Sequence, residues 1–195
     1  MKQEAWFVLT AALLIISGCC GPFHTQQKDS EYIEKKSKGK NMAQQLLTVG
    51  AIAPDFTLRD QDGNERSLTN YRGKTVALYF YPRDNTPGCT RQACSLRNGY
   101  KELSDAGITV LGISPDAPEN HVQFQKTFNL PFTLLCDPDK KVAEQYGALR
   151  NFFLVTIPKR VTFIINPNGI VTHVISKVSV DSHAEQIIHT LATNK

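Results

Sequence analysis

The stretch that decides the fold is residues 75–94, which read TVALYFYPRDNTPGCTRQAC. Residues 75–81 form an unbroken apolar, β-rich run, and such a run predicts a central strand that is buried on both faces. Pro82 ends this strand, and turn residues lead from it into a helix that we predict over 89–106. Cys89 would then open a helix just outside the carboxyl end of a central strand, where the functional residues of α/β proteins usually lie.

The rest of the chain alternates between strand and helix patterns. The helix over 89–106 would carry Leu96, Tyr100 and Leu103 on one apolar stripe and end near Gly107. The other predicted elements are a hairpin over 56–58 and 66–68, strands over 108–113, 132–135, 161–165 and 170–178, and helices over 118–128, 139–146 and 181–192. This order predicts an α/β protein with a thioredoxin-like fold, in which helices flank a central mixed sheet in a three-layer sandwich with an N-terminal β-hairpin extension.

The composition indicates one globular domain with a short extension, because the chain has 195 residues, of which 41% are hydrophobic and 21% are charged. Residues 42–195 contain 16 basic and 14 acidic side chains. A domain that binds nucleic acid usually shows a clustered excess of Lys and Arg, so this near balance argues against such a partner. We also expect the protein to be a monomer.

Five cysteines are present, at positions 19, 20, 89, 94 and 136. Their number is odd and their spacing is irregular, so they do not predict a disulfide-stapled scaffold. A zinc site on Cys89 and Cys94 would need two further ligands that the neighbouring sequence does not supply. We therefore expect neither a metal nor another cofactor.

The N-terminal segment resembles that of a bacterial lipoprotein. Residues 6–16 form an apolar run that has the length of a signal-peptide core and is too short to span a bilayer as a helix. Small residues precede Cys19, as in a lipobox, where the cysteine becomes lipidated. We therefore predict a signal-peptide-like segment over 1–18, a polar tether over 19–45 and the folded domain over 46–195, with Cys19 holding the protein at the cell envelope.

A cytoplasmic protein that starts at Met42 is the alternative. Met42 begins a segment that would serve as an ordinary translation start a few residues before the domain. Residues 38–41 require purine-rich codons, which are compatible with a ribosome-binding site just upstream of Met42. In this alternative the preceding residues are not part of the protein.

The start of the helix at Cys89 favours a reactive thiol. The backbone N–H groups and the positive end of the helix dipole both stabilise a thiolate there. Because the thiolate is the nucleophilic form of cysteine, this placement predicts redox or nucleophilic chemistry. A larger thiolate population alone accelerates a reaction only modestly, so other groups must orient and polarise the substrate.

Residues 80–94, which read FYPRDNTPGCTRQAC, resemble the active-site signature of the peroxiredoxins. The second cysteine, five residues after the first, resembles the peroxiredoxin Q subgroup, also called bacterioferritin comigratory protein. The resemblance covers essentially all of 46–192 and continues through 50–56, 111–114, 132–135 and 160–163. It implies a thiol-dependent peroxidase that reduces hydrogen peroxide and organic hydroperoxides and is recycled by thioredoxin or a similar dithiol.

The same resemblance implies roles for five side chains. Cys89 matches the peroxidatic cysteine, and Cys94 matches the resolving cysteine that forms a disulfide with it. Thr86 matches the threonine that hydrogen-bonds the thiolate and the peroxide. Pro82 matches the proline that shields the pocket, and Arg160 matches the arginine that completes the site. Cysteine supplies both electrons through its own oxidation, so this chemistry needs no cofactor.

A disulfide between Cys89 and Cys94 would require the helix to open. Five residues of α-helix correspond to about 7.5 Å of rise and leave the two side chains roughly 140° apart around the axis. A disulfide needs Cα atoms within about 7 Å and Cβ atoms near 4 Å. We therefore predict that the first turns unwind during catalysis, and that the small neighbours Ala93 and Ser95 offer little packing to resist this.

Several residues depart from the family pattern or lie outside it. Residues 147–160 match it only loosely. Cys136 stands where a small polar residue is expected, and we interpret it as a buried side chain at a strand end. We expect Arg83 and Arg91 to be solvated. The remaining histidines of the domain are expected at the surface or its boundary: His121, His173, His183 and His189.

Two other functions fit a cysteine at a helix start on this fold. A membrane-tethered thiol–disulfide oxidoreductase would normally carry C-x-x-C, whereas the spacing here is C-x4-C. A non-catalytic thioredoxin-like binding module would carry a degenerate site, whereas Thr86, Cys89 and Arg160 are all present. Failure to consume hydrogen peroxide in the presence of a thiol reductant would favour the binding module.

Overall fold

The computed structural model describes residues 45–193. The predicted segment 1–18, nearly all of the predicted tether, Cys19 and Met42 lie outside this part of the chain. The strands within it are β1 (Thr57–Asp60), β2 (Glu65–Ser67), β3 (Thr75–Phe80), β4 (Ile108–Ser114), β5 (Thr133–Cys136), β6 (Leu149–Phe152), β7 (Val155–Pro158), β8 (Val161–Ile165) and β9 (Val171–Ile175). The helices are a 3-10 turn over Leu68–Tyr71, α1 (Pro87–Asn98), α2 (Tyr100–Asp105), α3 (Pro118–Phe128), α4 (Lys141–Gln145) and α5 (His183–Ala192).

Seven strands form one mixed sheet in the order β2-β1-β5-β4-β3-β8-β9. Strand β3 lies parallel to β4 and antiparallel to β8, and β4 lies parallel to β5. Strands β1 and β2 form an N-terminal hairpin that joins the sheet through β5. This topology confirms the predicted α/β class, the mixed sheet and the hairpin extension.

Strand β3 is the central strand, and its alternating side chains enter two separate hydrophobic cores. Val76, Leu78 and Phe80 pack in the first core, together with residues of α4. Ala77 and Tyr79 pack in the second core, together with residues of α1, α3 and α5. The unbroken apolar run in the sequence therefore reflects burial on both faces, and the helices on the two sides give the predicted three layers.

The predicted helix over 89–106 is wrong in its extent, because the structure has two helices, α1 and α2, that meet at Gly99. A Cβ atom at Gly99 would collide with Ala184 of α5, so α5 crosses α1 where the chain has no side chain. Leu96 and Leu103 are nevertheless fully buried. The apolar stripe thus predicted the buried face of these helices but not the break between them.

Strands β6 and β7 form a separate two-stranded sheet that the sequence did not predict. They lie within 147–160, the segment that matches the family pattern only loosely. The turn between them contains no Gly, Pro, Asn or Asp, because it is made by Phe153 and Leu154. Phe153 adopts a φ of 54°, a left-handed conformation that bulky residues rarely take. Without turn residues, the hairpin has no recognisable signal in the sequence.

The remaining boundaries differ only slightly from the predicted ones. Helix α3 and strand β8 match their predicted ranges, whereas β9 ends at Ile175. Helices α4 and α5 each begin two residues later than predicted, and Lys140, just before α4, has a left-handed φ of 57°. Within residues 45–193, no helix has the length and apolar character needed to cross a bilayer.

Candidate active site

Cys89 lies in the first turn of α1, directly after the loop that follows β3. Thr86 is the N-cap residue in an extended conformation, and Pro87 occupies the first helical position, where its fixed φ and missing N–H suit the helix. The Thr86 carbonyl accepts the first helical hydrogen bond, from the Thr90 N–H at 2.9 Å. The N–H groups of this turn have no intrahelical acceptor, so they can stabilise negative charge on Cys89, which is only 2% exposed.

The guanidinium group of Arg160 contacts the Cys89 thiol, with Nη2 3.2 Å from Sγ. The two residues are 71 positions apart in the chain, and the sheet register explains their proximity. Strand β8 runs antiparallel to β3 with Val161 opposite Phe80, so Arg160 precedes β8 at the edge of the sheet where β3 ends. The register therefore brings together two residues that the sequence had singled out.

Gln92 is a site residue that the sequence analysis missed. Its Oε1 accepts a hydrogen bond from Nη1 of Arg160, and this bond orients the guanidinium group toward the thiol. Gln92 is fully buried, and its Nε2 has no hydrogen-bond partner among the described residues. A Cβ atom at Gly88 would lie 3.1 Å from Nη2, so the glycine leaves room for the guanidinium group. The i, i+3 spacing from Cys89, which places both side chains on one helix face, is the signal that could have found Gln92.

Thr86 and Pro82 lie at the outer side of the site. The Thr86 hydroxyl donates a hydrogen bond to the Arg83 carbonyl at 3.1 Å, so its oxygen can accept a hydrogen bond from a ligand. Pro82 and Arg160 line a cavity of about 370 Å³. The other lining residues are Leu46, Arg150, Lys159, Val161 and Ser176. The cavity therefore gives a small molecule a way to approach the residues in front of the thiol.

Cys94 lies in the same unbroken helix as Cys89 and is half-buried, and both thiols are free. The expectation that Ser95 offers little resistance to helix opening is wrong. Its Oγ accepts hydrogen bonds from the backbone N–H of His183 at 2.7 Å and of Ala184 at 3.4 Å, at the start of α5. Opening α1 as far as Ser95 would break this link between the two helices, so Ser95 opposes unwinding beyond Cys94.

A buried network holds the loop over 82–86 from beneath, through Asp84. The Tyr81 hydroxyl donates to Oδ1 of Asp84 at 2.8 Å, and Nδ1 of His121 lies 2.7 Å from Oδ2. The backbone N–H of Asp84 donates to Oδ2 of Asp116 at 2.9 Å. Because the loop carries both Pro82 and Thr86, this network fixes the outer side of the site.

The expectation that the histidines lie at the surface or its boundary is wrong for His121 and His183, which are fully buried. Burial opposes protonation of His121, but the hydrogen bonds and charge interactions with Asp84 and Cys136 together outweigh it and raise the pKa to about 9. Burial lowers the pKa of His183 to about 4. At neutral pH, His121 is therefore charged and paired with Asp84, whereas His183 is neutral. The expectation is confirmed for His173, which is half-buried, and for His189, which is exposed.

The interpretations of Cys136, Arg83 and Arg91 are confirmed. Cys136 is the last residue of β5 and is buried. The Arg83 side chain is exposed and lies 3.9 Å from Asp116, and the exposed Arg91 side chain lies 3.2 Å from Asp181. Neither arginine is needed to explain the geometry around the Cys89 sulfur.

Oxidation of a cysteine by a small substrate is the chemistry that this geometry supports best, and it defines the class of protein as a thiol-dependent redox enzyme on a thioredoxin-like scaffold. Comparison with known proteins gives the family. The model of the AhpC/TSA family matches residues 49–174. The chain belongs to this family.

Individual relatives place the chain in the peroxiredoxin Q group. A Coxiella burnetii protein assigned as peroxiredoxin bcp is 45% identical over 149 residues, which cover 74% of this chain and 99% of the relative. The chloroplastic peroxiredoxin Q of Sedum lineare is 41% identical over 157 residues, which cover 80% of this chain and 84% of the relative. The crystal structure of peroxidoxin BcpB from Mycobacterium tuberculosis has a TM-score of 0.70 at 34% identity, covering 76% of this chain and 99% of that chain. These findings confirm the thioredoxin-like fold, and the protein is a thiol-dependent peroxidase.

Proposed function

We propose that this peroxidase uses Cys89 as its peroxidatic cysteine and reduces hydrogen peroxide and organic hydroperoxides. The observation that supports this most strongly is the 3.2 Å contact between Nη2 of Arg160 and Sγ of Cys89 at the start of a helix. The guanidinium charge and the helix N–H groups both favour the thiolate. Organic hydroperoxides are included because a structural study of the Xanthomonas campestris bacterioferritin comigratory protein, 27% identical with a TM-score of 0.70, describes alkyl peroxide reduction by that protein.

In the first step, the Cys89 thiolate attacks the terminal oxygen of the hydroperoxide. The S–O bond forms while the O–O bond breaks, the sulfur loses two electrons, and the departing alkoxide or hydroxide takes up a proton to leave as an alcohol or water. Arg160 and the first-turn N–H groups stabilise the charge that develops on the oxygens. The Thr86 oxygen accepts a hydrogen bond from the peroxide while its hydroxyl group donates one to the Arg83 carbonyl. Pro82 screens the thiol from the cavity.

In the second step, Cys94 resolves the sulfenic acid on Cys89. The Cys94 sulfur attacks the oxidised sulfur, an S–S bond forms, and the oxygen leaves as water. Thioredoxin or a similar dithiol then reduces the disulfide by exchange and returns both thiols. Because α1 is continuous through both cysteines, this step requires the helix to open between them. The link from Ser95 to α5 supports an opening that ends before Ser95.

The protein is a monomer in this proposal, and Cys19 anchors it to the cell envelope. The apolar run over 6–16 and the small residues before Cys19 support the anchor. A chain that begins at Met42 would instead be cytoplasmic. The mass of the native N-terminus tests this directly: a lipid-modified Cys19 is expected, and an unmodified start at Met42 or Ala43 would replace the anchor with the cytoplasmic alternative.

One labelling experiment tests the assignment of the peroxidatic cysteine. A Cys94→Ser variant is treated with one equivalent of hydrogen peroxide in the presence of dimedone, which traps sulfenic acids, and its peptides are mapped by mass. The adduct is expected on Cys89, because this thiol contacts Arg160. An adduct mainly on Cys136, or none at all while the peroxide is consumed, would overturn the assignment. A non-catalytic binding module would neither consume peroxide nor form an adduct.

A further inference from the structure

The turn between β6 and β7 exposes a cluster of large apolar side chains, which we call the hairpin tip. It consists of Phe152, Phe153, Leu154 and Val155, which are 53%, 91%, 101% and 57% exposed. The two phenylalanine rings contact each other with centroids 5.1 Å apart, and none of the four residues belongs to either hydrophobic core. Contiguous exposed apolar surface of this kind usually marks a site that binds another protein, a membrane or a ligand.

The backbone of the hairpin tip indicates that its side chains matter for something other than folding. Phe153 adopts a left-handed φ of 54°. Glycine or asparagine takes this conformation with less strain, and both are common in hairpin turns. A phenylalanine there contributes almost nothing to the fold, because its side chain is nearly fully exposed. The turn therefore exposes a large apolar side chain at a position where glycine or asparagine would be less strained.

Positive charge lies at the base of the same hairpin. Residues 147–160 contain no acidic side chain, and their basic side chains other than Arg160 of the Cys89 site are Arg150 and Lys159. Lys140 adds a third, because its Nζ donates to the Thr156 carbonyl on β7 at 3.0 Å. Phe153 lies roughly 10 Å along the chain from Arg150, at about 3.3 Å per residue. Apolar groups of interfacial segments enter the headgroup/acyl boundary by about 5–10 Å, and basic residues next to them are attracted to anionic headgroups, so an apolar tip ahead of a cationic base by this distance fits a bilayer surface.

A second copy of the chain fits this surface less well. The four side chains expose roughly 500 Å², judged from the 150–250 Å² that a large side chain can bury. Each partner in a stable dimer buries about 800 Å². The shared positive charge around the base would also oppose the close approach of two copies.

We infer that the hairpin tip inserts into the surface of a lipid bilayer with anionic headgroups. This docking is separate from the N-terminal anchor, because it uses only residues of the folded domain. It also concerns catalysis, because Arg150 and Lys159 of the same segment line a cavity together with Arg160, which contacts Cys89. If the proposed function holds, docking brings that cavity to hydroperoxides of the membrane lipids themselves.

A chain that starts at Met42 is suited to the test. Residues 43–195 form a compact unit, and the Mycobacterium tuberculosis structure, which the match covers to 99%, is a domain of this size. The single tryptophan of the chain is Trp6, so the shorter chain has none and Phe153→Trp introduces a unique fluorescent probe. Sedimentation and fluorescence are measured with phosphatidylcholine vesicles, with and without phosphatidylglycerol. The tip variant is Phe153→Ser/Leu154→Ser. The matched control is Val49→Ser/Ile52→Ser, which removes exposed apolar residues elsewhere.

The proposal predicts a blue shift of the Phe153→Trp emission with phosphatidylglycerol vesicles, and weaker binding at high salt. The tip variant should bind these vesicles at least tenfold more weakly, whereas the control variant should bind like the unsubstituted chain. The proposal would be overturned if the tip variant and the unsubstituted chain bound the vesicles equally, or if the Phe153→Trp emission showed no blue shift. It would also be overturned if the unsubstituted chain formed a concentration-dependent dimer that the tip variant did not form.

Turnover separates a failure of docking from a failure of the proposed function. The tip variant should reduce dissolved hydrogen peroxide at an unchanged rate, and a phospholipid hydroperoxide in phosphatidylglycerol vesicles at least fivefold more slowly. If the tip variant and the unsubstituted chain both reduced dissolved peroxide normally and reduced the lipid hydroperoxide at equal rates, docking would be refuted and the proposed function would stand. Absence of turnover of dissolved peroxide in the unsubstituted chain would refute the proposed function, while the binding measurements would still decide on docking.

Discussion

The start of α1 and the β6–β7 hairpin are held in opposite ways, although Arg160, which contacts Cys89, and Arg150 of the hairpin line the same cavity. The first turn of α1 is fixed from several sides: by Arg160 and Gln92 above the thiol and by the Asp84 network beneath the preceding loop. The hairpin is held mainly by its own ladder and by the hydrogen bond from Lys140 to Thr156, and its tip projects apolar side chains into solvent. The reaction with peroxide requires groups that are held in place around the thiol, whereas binding to a membrane surface requires side chains that are accessible to it.

The largest expected effect concerns the fixed region. Substitution of Cys89 by serine should lower peroxide turnover at least about a thousandfold, because a hydroxyl has no accessible anion at neutral pH. The variant should remain folded by circular dichroism. Cys136→Ser, which changes another buried cysteine, is the matched control and should retain its turnover. Appreciable turnover by Cys89→Ser would remove this cysteine from the mechanism.

The second prediction tests whether the fixed helix nevertheless opens. Amide hydrogen exchange over 88–94 should become much faster after peroxide treatment, because a Cys89–Cys94 disulfide is incompatible with the α1 helix. The amide of His183, which is bonded to Ser95, should keep its protection if the opening ends before Ser95. Cys94→Ser should show no such change. Equal protection in the reduced and oxidised protein, with the disulfide confirmed by mass, would contradict the opening.

The third prediction concerns the charged pair beneath the loop. The pKa of His121 is raised from 6.5 to about 9, so the pair contributes its full stability below pH 6.5 and loses it as the pH rises through 9. The free energy of unfolding should therefore fall across this window by on the order of 3 kcal/mol. His121→Gln should flatten this dependence in urea unfolding at several pH values, whereas His189→Gln, at an exposed position, should keep it. An identical slope in His121→Gln would show that the pair is not the titrating group.

The smallest expected effect concerns the hairpin. Phe153→Gly should raise the free energy of unfolding by about 1 kcal/mol, because glycine adopts a left-handed φ without strain and the exposed ring contributes little to the fold. Leu154→Gly, next to it in the same turn, is the control and should not stabilise the protein. Thermal unfolding of the two variants measures the difference. Destabilisation by Phe153→Gly would mean that the ring supports the fold after all.

The two regions also differ in how far the sequence predicts them. The central strand and a helix start close to Cys89 follow from local signals within residues 75–94: an apolar run, Pro82 and the turn residues after it, although the helix begins at Pro87. Arg160 came only from the family resemblance, because its approach to Cys89 depends on the register between β3 and β8. The burial of His121 depends on its pairing with Asp84, 37 residues away, and no local pattern reports such a pair. The β6–β7 hairpin was not predicted, because its turn is made of residues that usually continue a strand.

The rate at which peroxide oxidises Cys89 in a single turnover tests the central claim most directly, and it should be compared in three proteins. Arg160→Met removes the guanidinium group that contacts Sγ and should slow this step at least about tenfold, while reduction of the disulfide by a dithiol stays nearly unchanged. Arg91→Met removes an exposed arginine from α1, the helix that carries Cys89, and this variant should react with peroxide like the unsubstituted protein. Equal rates of Cys89 oxidation in all three proteins would contradict the account, because the contact between Arg160 and the thiol would then have no part in the chemistry.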